Sequence, residues 1–181
     1  MGGPQRFDVF VGKEYLKFNA AHFIAYRGFR ERLHGHNYQV TVRVEGELGA
    51  DGYVVDFGVV KRATKRVCEA LDEYTILPAA SDCLSIVETG DSVEVTYEDG
   101  TRFVLPRSDV VLLPIVHSSA EELARYVAGR VREELLADGA RPWTRLEVSV
   151  SETHGQAATF AATWSEHDAS AARAAKAGRA R

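Results

Sequence analysis

Cysteine, methionine and tryptophan are scarce in this 181-residue chain, at two, one and two residues. Two cysteines are too few for a disulfide-stapled mini-protein, and with Cys68 on a predicted helix they read as two free thiols, Cys68 and Cys83. No apolar run approaches the roughly 18–20 residues that a bilayer demands, and the first residues lack the apolar stretch of a secretory leader. The expectation is a soluble, cytoplasmic protein with no membrane partner. Excess positive charge is missing too, since 22 Lys and Arg stand against 26 Asp and Glu for a net charge of −4. Residues 169–181 carry only positive charges, so the body before them is more acidic still. Nucleic-acid binding needs clustered basic residues to neutralise phosphates, and this balance argues against it.

What is present has a globular balance, 45% apolar and 27% charged, at a length that can bury a sizeable core. The chain reads as one domain over 1–168 followed by a flexible Ala/Arg-rich tail over 169–181. Residues 7–23 are rich in aromatic and β-branched residues and predict a first strand, and the arginine-bearing stretch 24–33 predicts a loop. His36, Tyr38, Val40, Val42 and Val44 alternate with polar residues and predict a second strand with one buried face. Asp56 caps a helix whose apolar positions are Phe57, Val60, Thr64, Val67, Cys68 and Leu71, with Pro78 as its limit. Within a segment at 79–112, residues 92–105 predict a hairpin turning at Asp99-Gly100 in a type I′ turn. Ser119 and Glu122 form a capping box for a second helix with a stripe of Leu123, Val127, Val131 and Leu135, stopped by Gly139. Two closing strands follow, one through Leu146, Val148 and Val150 and one from Gln156 to Trp164. This order predicts an α+β domain with a mainly antiparallel sheet and two helices on one face.

His34 and His36 lead into the second strand two residues apart, so their imidazoles share a face. His22, at the end of the first strand, comes alongside if the two strands pair antiparallel. Three histidines without a cysteine or carboxylate fit a metal site with an open fourth position. Each histidine taken singly is equally an ordinary surface or core residue. Glu152 is in phase with Leu146, Val148 and Val150, so it either anchors a ligand or marks where the strand leaves the core. A carboxylate there can accept two parallel N–H bonds from the guanidine-like edge of a pterin or guanine.

His22 in FNAAHF, the run His34-Gly35-His36-Asn37-Tyr38, Asp56 in GYVVDFGVVK, Leu71-Asp72, the helix start SSAEELARY and Val150-Ser151-Glu152-Thr153 occur in one order. Together they resemble the 6-pyruvoyltetrahydropterin synthase and 6-carboxytetrahydropterin synthase family over about residues 8–165, apart from 79–112. The resemblance implies a tunnelling fold (T-fold), a β-β-α-α-β-β subunit with an antiparallel four-stranded sheet. It implies trimers that close a barrel and pair into a homohexamer with sites between subunits. It also implies Zn2+ on His22, His34 and His36, a pterin held by Glu152, and a lyase acting on 7,8-dihydroneopterin triphosphate or a related reduced pterin.

Two departures bear on the reaction. The family's proton-transferring cysteine, four residues before the first histidine of the HGH motif, is Arg30 here. A related branch places a glutamate three residues before that histidine, as Glu31 stands here, and releases 6-hydroxymethyl-7,8-dihydropterin by a retro-aldol-type cleavage. The family's Asp-His pair reads Asp72-Glu73, leaving Asp72, Glu73 and His154, or His117, as candidates for proton transfer. The competing reading is a zinc- and pterin- or purine-binding homologue that has lost the reaction. The 79–112 segment lies outside the family pattern and can cap the site, bind a partner or extend the sheet edge.

Overall fold

The computed structural model describes residues 5–140 and 143–164, so the tail expected at 169–181 lies outside the described residues. Two long alternating stretches form antiparallel partners, β1 (Phe7–His22) and β4 (His34–Gly46). Between them the predicted loop contains a small hairpin, β2 (Ala25–Tyr26) and β3 (Phe29–Arg30), which turns at Gly28 with φ 82°. A left-handed backbone there suits glycine, which has no β-carbon to clash.

The β1–β4 ladder contains a large bulge. Gly12 pairs with Thr41 and Lys17 with Gln39, so the four residues Lys13 to Leu16 face the single residue Val40. The Gln39 side chain satisfies the bulged backbone, donating from Nε2 to the carbonyls of Lys13 (2.7 Å) and Leu16 (3.0 Å). Because the side-chain period of a strand is two, an insertion of odd length moves the buried positions to the other parity. Val11 is buried before the bulge, whereas Leu16, Phe18, Ala20 and His22 are buried after it.

The first helix, α1 (Phe57–Glu69), is capped as predicted, with Asp56 Oδ1 accepting from Val59 N at 3.0 Å. Val60, Ala63, Thr64, Val67 and Cys68 are its buried face, while Phe57 is 53% exposed and outside the core. Burial pushes the Cys68 thiol up to about 12, and both cysteines are free. The helix ends at Glu69, well before Pro78, which lies in a strand.

The segment after α1 is richer than a single hairpin. β5 (Tyr74–Pro78) runs parallel to β1, and β9 (Val110–Leu113) runs parallel to β5. Between them β6 (Leu84–Thr89), β7 (Ser92–Tyr97) and β8 (Arg102–Pro106) make a separate three-stranded antiparallel sheet. The expected hairpin is β7–β8, with a different turn. Gly100 N bonds to Tyr97 O at 2.9 Å and Gly100 has φ 83°, but Asp99 does not have the positive φ that a type I′ turn requires. A glycine in the left-handed region after such a turn forms the bulge that closes a longer hairpin loop.

The second helix, α2 (Ala120–Ala137), starts at Ser119, whose Oγ accepts from Glu122 N at 3.4 Å, and ends before Gly139, at φ 75°. Its predicted stripe of Leu123, Val127, Val131 and Leu135 is buried. The closing strands are β10 (Arg145–Thr153) and β11 (Gln156–Thr163). The sheet order is β11-β10-β4-β1-β5-β9. Its first four strands are the antiparallel set expected, and both helices cover the same face of it. The purely four-stranded antiparallel sheet is corrected by β5 and β9, whose short apolar runs have no periodicity that separates a strand from a buried loop. Among the described residues no helix is long and apolar enough to cross a membrane.

Replacing Leu123 by Ala removes a fully buried contact between α2 and the sheet. It is expected to lower the unfolding free energy by about 2–5 kcal/mol, measured by urea denaturation. An exposed change such as Lys65→Ala should alter it by about 0.5 kcal/mol or less.

Candidate metal and substrate site

The post-bulge parity of β1 sets His22 directly opposite His34, and Ala20 opposite His36. All three imidazoles lie on the helix-covered side of the sheet, and His22 meets the residue that precedes the N-cap of α2. Their ring centroids are 4.7 Å (His22–His34), 5.2 Å (His22–His36) and 4.9 Å (His34–His36) apart. One ring nitrogen from each lies within 4.8 Å of the others. Gly35 makes this approach possible, since a β-carbon there would sit 3.1 Å from the Ala20 carbonyl oxygen.

Hydrogen bonding fixes how two of these rings present themselves. His22 Nδ1 is 2.7 Å from the Ser118 carbonyl oxygen and His34 Nδ1 is 2.8 Å from that of Arg32. A carbonyl only accepts, so each Nδ1 carries the proton and each Nε2 keeps its lone pair. His22 Nε2 is completely buried and has no hydrogen-bond partner. A buried acceptor without a donor is costly unless something else satisfies it, and a cation does so. The backbone tether on Nδ1 is the usual outer support of a metal-binding imidazole. Burial holds the His22 pKa below its ordinary value, which outweighs the Ser118 bond that raises it, so the ring stays neutral and able to ligate. The donor set therefore fits a divalent metal with an open position.

Tyr38 forms the floor of the site. Its ring stacks on Phe18 at 4.7 Å and meets His36 at 5.5 Å and His22 at 5.8 Å. Its hydroxyl is buried with no hydrogen-bond partner. Burial, and then Glu152 and Glu31, hold that hydroxyl well above the ordinary phenol range. The two carboxylates thus act on one point beside the histidines. Glu152 also acts electrostatically on His22. It is the residue that bulges out of the β10–β11 ladder, between Ser151, paired with Ala157, and Thr153, paired with Gln156.

Glu31 follows β3 on the segment that returns to His34. It is half-buried, and its Oε2 accepts from Ile24 N at 3.0 Å while its own N–H donates to Ile24 O at 2.9 Å. These two hydrogen bonds to one residue hold the carboxylate facing back across the loop, with Oε1 free of hydrogen bonds among the described residues.

The remaining candidates fall elsewhere. Asp72 Oδ1 accepts from Asn19 N (2.7 Å) and Asn19 Nδ2 (3.1 Å), fastening the turn after α1 to β1. Glu73 is exposed, with φ 66°, an unfavourable conformation for a residue with a β-carbon. It lines a cavity of about 410 Å³ with Asn19, His36, Asn37 and Asp109. His154 lies in the exposed turn between β10 and β11 and makes no hydrogen bond or ion pair among the described residues. His117 is half-buried with Nδ1 2.9 Å from the Ala25 carbonyl. Two contributors escaped the sequence reading. Tyr38 was legible only as one more in-phase core residue of β4. Ser118 carries no local signal, because its carbonyl meets a ring 96 positions away in sequence.

A family model described as 6-pyruvoyl tetrahydropterin synthase matches residues 12–163. A Methanocaldococcus jannaschii relative, provisionally named as a 6-carboxy-5,6,7,8-tetrahydropterin synthase, is 33% identical over 146 residues, covering 80% of this chain and 89% of its own. A Pyrococcus furiosus dihydroneopterin monophosphate aldolase is 42% identical over 59 residues, 33% of this chain and 50% of that one. The crystal structure of Plasmodium vivax 6-pyruvoyl tetrahydropterin synthase superposes with a TM-score of 0.85 at 41% identity, covering 88% of this chain and 99% of that one. A variant of that protein with alanine in place of a glutamate described as a catalytic residue superposes at 0.84.

His22→Ala is expected to weaken zinc binding by more than the roughly 10–100-fold that losing a supporting contact alone costs, as read by competition with a chromogenic chelator. Because the folded pKa of His22 is depressed, its contribution to stability is present above the unfolded value near 6.5 and lost as pH falls. Stability of the metal-free protein and zinc affinity should therefore both decline from pH 7.5 to pH 5, followed by denaturant titration and by metal analysis after dialysis.

Proposed function

The chain belongs to the 6-pyruvoyl tetrahydropterin synthase family, and from that premise we propose that it is a zinc-dependent lyase. Its substrate in this reading is 7,8-dihydroneopterin triphosphate or a closely related reduced pterin, and its product is 6-hydroxymethyl-7,8-dihydropterin. The observation that carries the reading is the cluster of His22, His34 and His36, whose ring nitrogens lie within 4.8 Å of one another beside the buried, unpartnered Tyr38 hydroxyl, on which Glu152 and Glu31 both act electrostatically. Support for a glutamate in the chemistry comes from the Plasmodium vivax protein, where a glutamate is described as a catalytic residue. Support for carbon–carbon cleavage comes from the aldolase named among the relatives.

His22, His34 and His36 hold the metal through the ring nitrogens left free by the backbone tethers. When bound, the zinc supplies Lewis-acid polarisation of the oxygens on the pterin side chain. Glu152 accepts two N–H bonds from the 2-amino and ring N–H edge of the pterin, which orients the heterocycle and selects it over rings lacking that edge. Glu31 takes the proton from the side-chain hydroxyl next to the scissile carbon–carbon bond. As that oxygen becomes a carbonyl, the bond's electron pair passes into the conjugated ring system. The exocyclic carbon then regains a proton, so the cleavage needs no oxidant. His22 stays out of the proton transfer because its Nδ1 is tied to the Ser118 carbonyl and its buried Nε2 is the nitrogen left for the metal. The same reading includes a cytoplasmic homohexamer of two trimers, supported by the two unpaired edges, β11 and β9, of the six-stranded sheet.

A second reading, a zinc- and pterin- or purine-binding homologue without turnover, is favoured by one observation. Glu73 stands where the family pattern has a histidine, and no other imidazole replaces it beside Asp72 among the described residues.

Zinc-loaded protein incubated with 7,8-dihydroneopterin triphosphate is expected to release 6-hydroxymethyl-7,8-dihydropterin, identified by mass spectrometry. Glu31→Gln should lower kcat by about 10²–10⁴-fold with zinc content kept. Tight pterin binding with full metal occupancy and no product would favour the second reading over the first. Glu152→Gln should weaken pterin binding by about 1.5–3 kcal/mol, the worth of a charge-assisted bond, read by calorimetric titration.

A further inference from the structure

We propose that the three-stranded sheet β6–β8, together with its loops, is a positioning element that fixes Glu31 in its loop, three residues before His34 of the histidine site. The inference rests on the reading of Glu31 as the general base. Three tethers carry it, each reaching a different part of the 24–31 loop. The Tyr97 hydroxyl lies 3.0 Å from the Tyr26 carbonyl oxygen and 2.8 Å from Glu98 Oε1. Glu98 Oε1 accepts from Gly28 N at 2.6 Å, across the tip of the β2–β3 hairpin. The Arg30 guanidinium lies 5.2 Å from the centre of the Phe103 ring on β8, and its Nη1 donates to the Glu31 carbonyl at 2.7 Å.

These contacts are made at the rim of a second apolar cluster that is separate from the main core. Phe23 and Ala25, which flank Ile24, are buried in it with Leu77, Val93, Val95 and Tyr97, and Phe103 stacks on Phe23 at 5.1 Å. Ile24 is the residue that bonds Glu31 through both its N–H and its carbonyl. The base is thus fixed to a residue whose neighbours on both sides are packed against the β6–β8 sheet. Arg30 stands where the family pattern has its cysteine, and its side chain turns to Phe103 on β8. The position that carries the chemistry in that pattern here anchors the residue after it. Placement of a base to within a fraction of an ångström is worth large factors in rate, so a loop of two-residue strands needs such external support.

Glu98→Ala and Tyr97→Phe each remove one tether at the edge of the cluster while leaving the His22, His34 and His36 site intact. Each is expected to lower kcat on 7,8-dihydroneopterin triphosphate by roughly ten- to a hundredfold, with KM and zinc content near those of the unaltered protein. Glu98→Gln keeps an Oε1 acceptor for Gly28 N and should recover most of the loss. In a Glu31→Gln background Glu98→Ala should cost nothing further, because a residue acting only through Glu31 has no separate effect. Amide hydrogen exchange over residues 24–31 should accelerate in Glu98→Ala while β4 stays protected. An unaltered kcat in Glu98→Ala, an equal loss with and without Glu31, or unchanged exchange over 24–31 would overturn the proposal. Full turnover by Glu31→Gln would instead remove the base assignment, and the exchange over 24–31 would then decide the anchoring by itself.

Discussion

The pairing of β1 with β4 beyond its bulge is the constraint on which the site depends. An insertion of four residues against one transfers the buried face of β1 from odd to even positions, which turns His22 inward and sets it across from His34. Without that change of parity, His22 would face the opposite side of the sheet from His34 and His36. The bulge is held by a side chain rather than by ladder bonds. Gln39 satisfies two carbonyls that the ladder leaves unpaired, and it sits beside Tyr38 on the strand that carries two of the three histidines. Local geometry at the bulge and the chemistry at the strand end are therefore one problem of register.

Electrostatics then determine what the site can hold. Three imidazoles place a ring nitrogen each within 4.8 Å of the others, and two of the rings are oriented by carbonyls from Arg32 and Ser118. The buried Ser118 hydroxyl in turn donates to the Phe23 carbonyl at 2.8 Å, which ties the approach to α2 to the end of β1. Glu31 and Glu152 bring negative charge toward the same point, where the buried Tyr38 hydroxyl has no partner. The buried, unpartnered His22 Nε2 and Tyr38 hydroxyl beside this cluster form a frustrated arrangement in the free protein. A cation held by the three histidines relieves that frustration at His22 Nε2.

The family pattern was legible because its residues are spaced by secondary structure. His34-Gly35-His36 announces itself through strand alternation, Asp56 and Ser119 through capping chemistry, and Glu152 through its phase with Leu146, Val148 and Val150. The structure bears out both helices, their caps and the order of the four antiparallel strands. The three-stranded sheet β6–β8 was visible only in its hairpin. β5 and β9 are short, continuous apolar runs that pair in parallel with partners distant in sequence, and no local period marks such strands. The Asp99-Gly100 turn was placed correctly and typed wrongly, because the dipeptide permits more than one loop and the strand register chooses between them.

The amino-acid sequence by itself identified the candidates for the chemistry: three histidines, two carboxylates placed in phase with strands or beside the HGH motif, and a glycine between two of the histidines. It also determined the two helices, through caps and apolar stripes that act within a few residues. Only the tertiary structure decided that His22 turns inward, that a serine carbonyl orients its ring, and that Arg30 leaves the site for Phe103. Those outcomes rest on register, burial and contacts between segments far apart in the chain, and such forces act only once the segments have met.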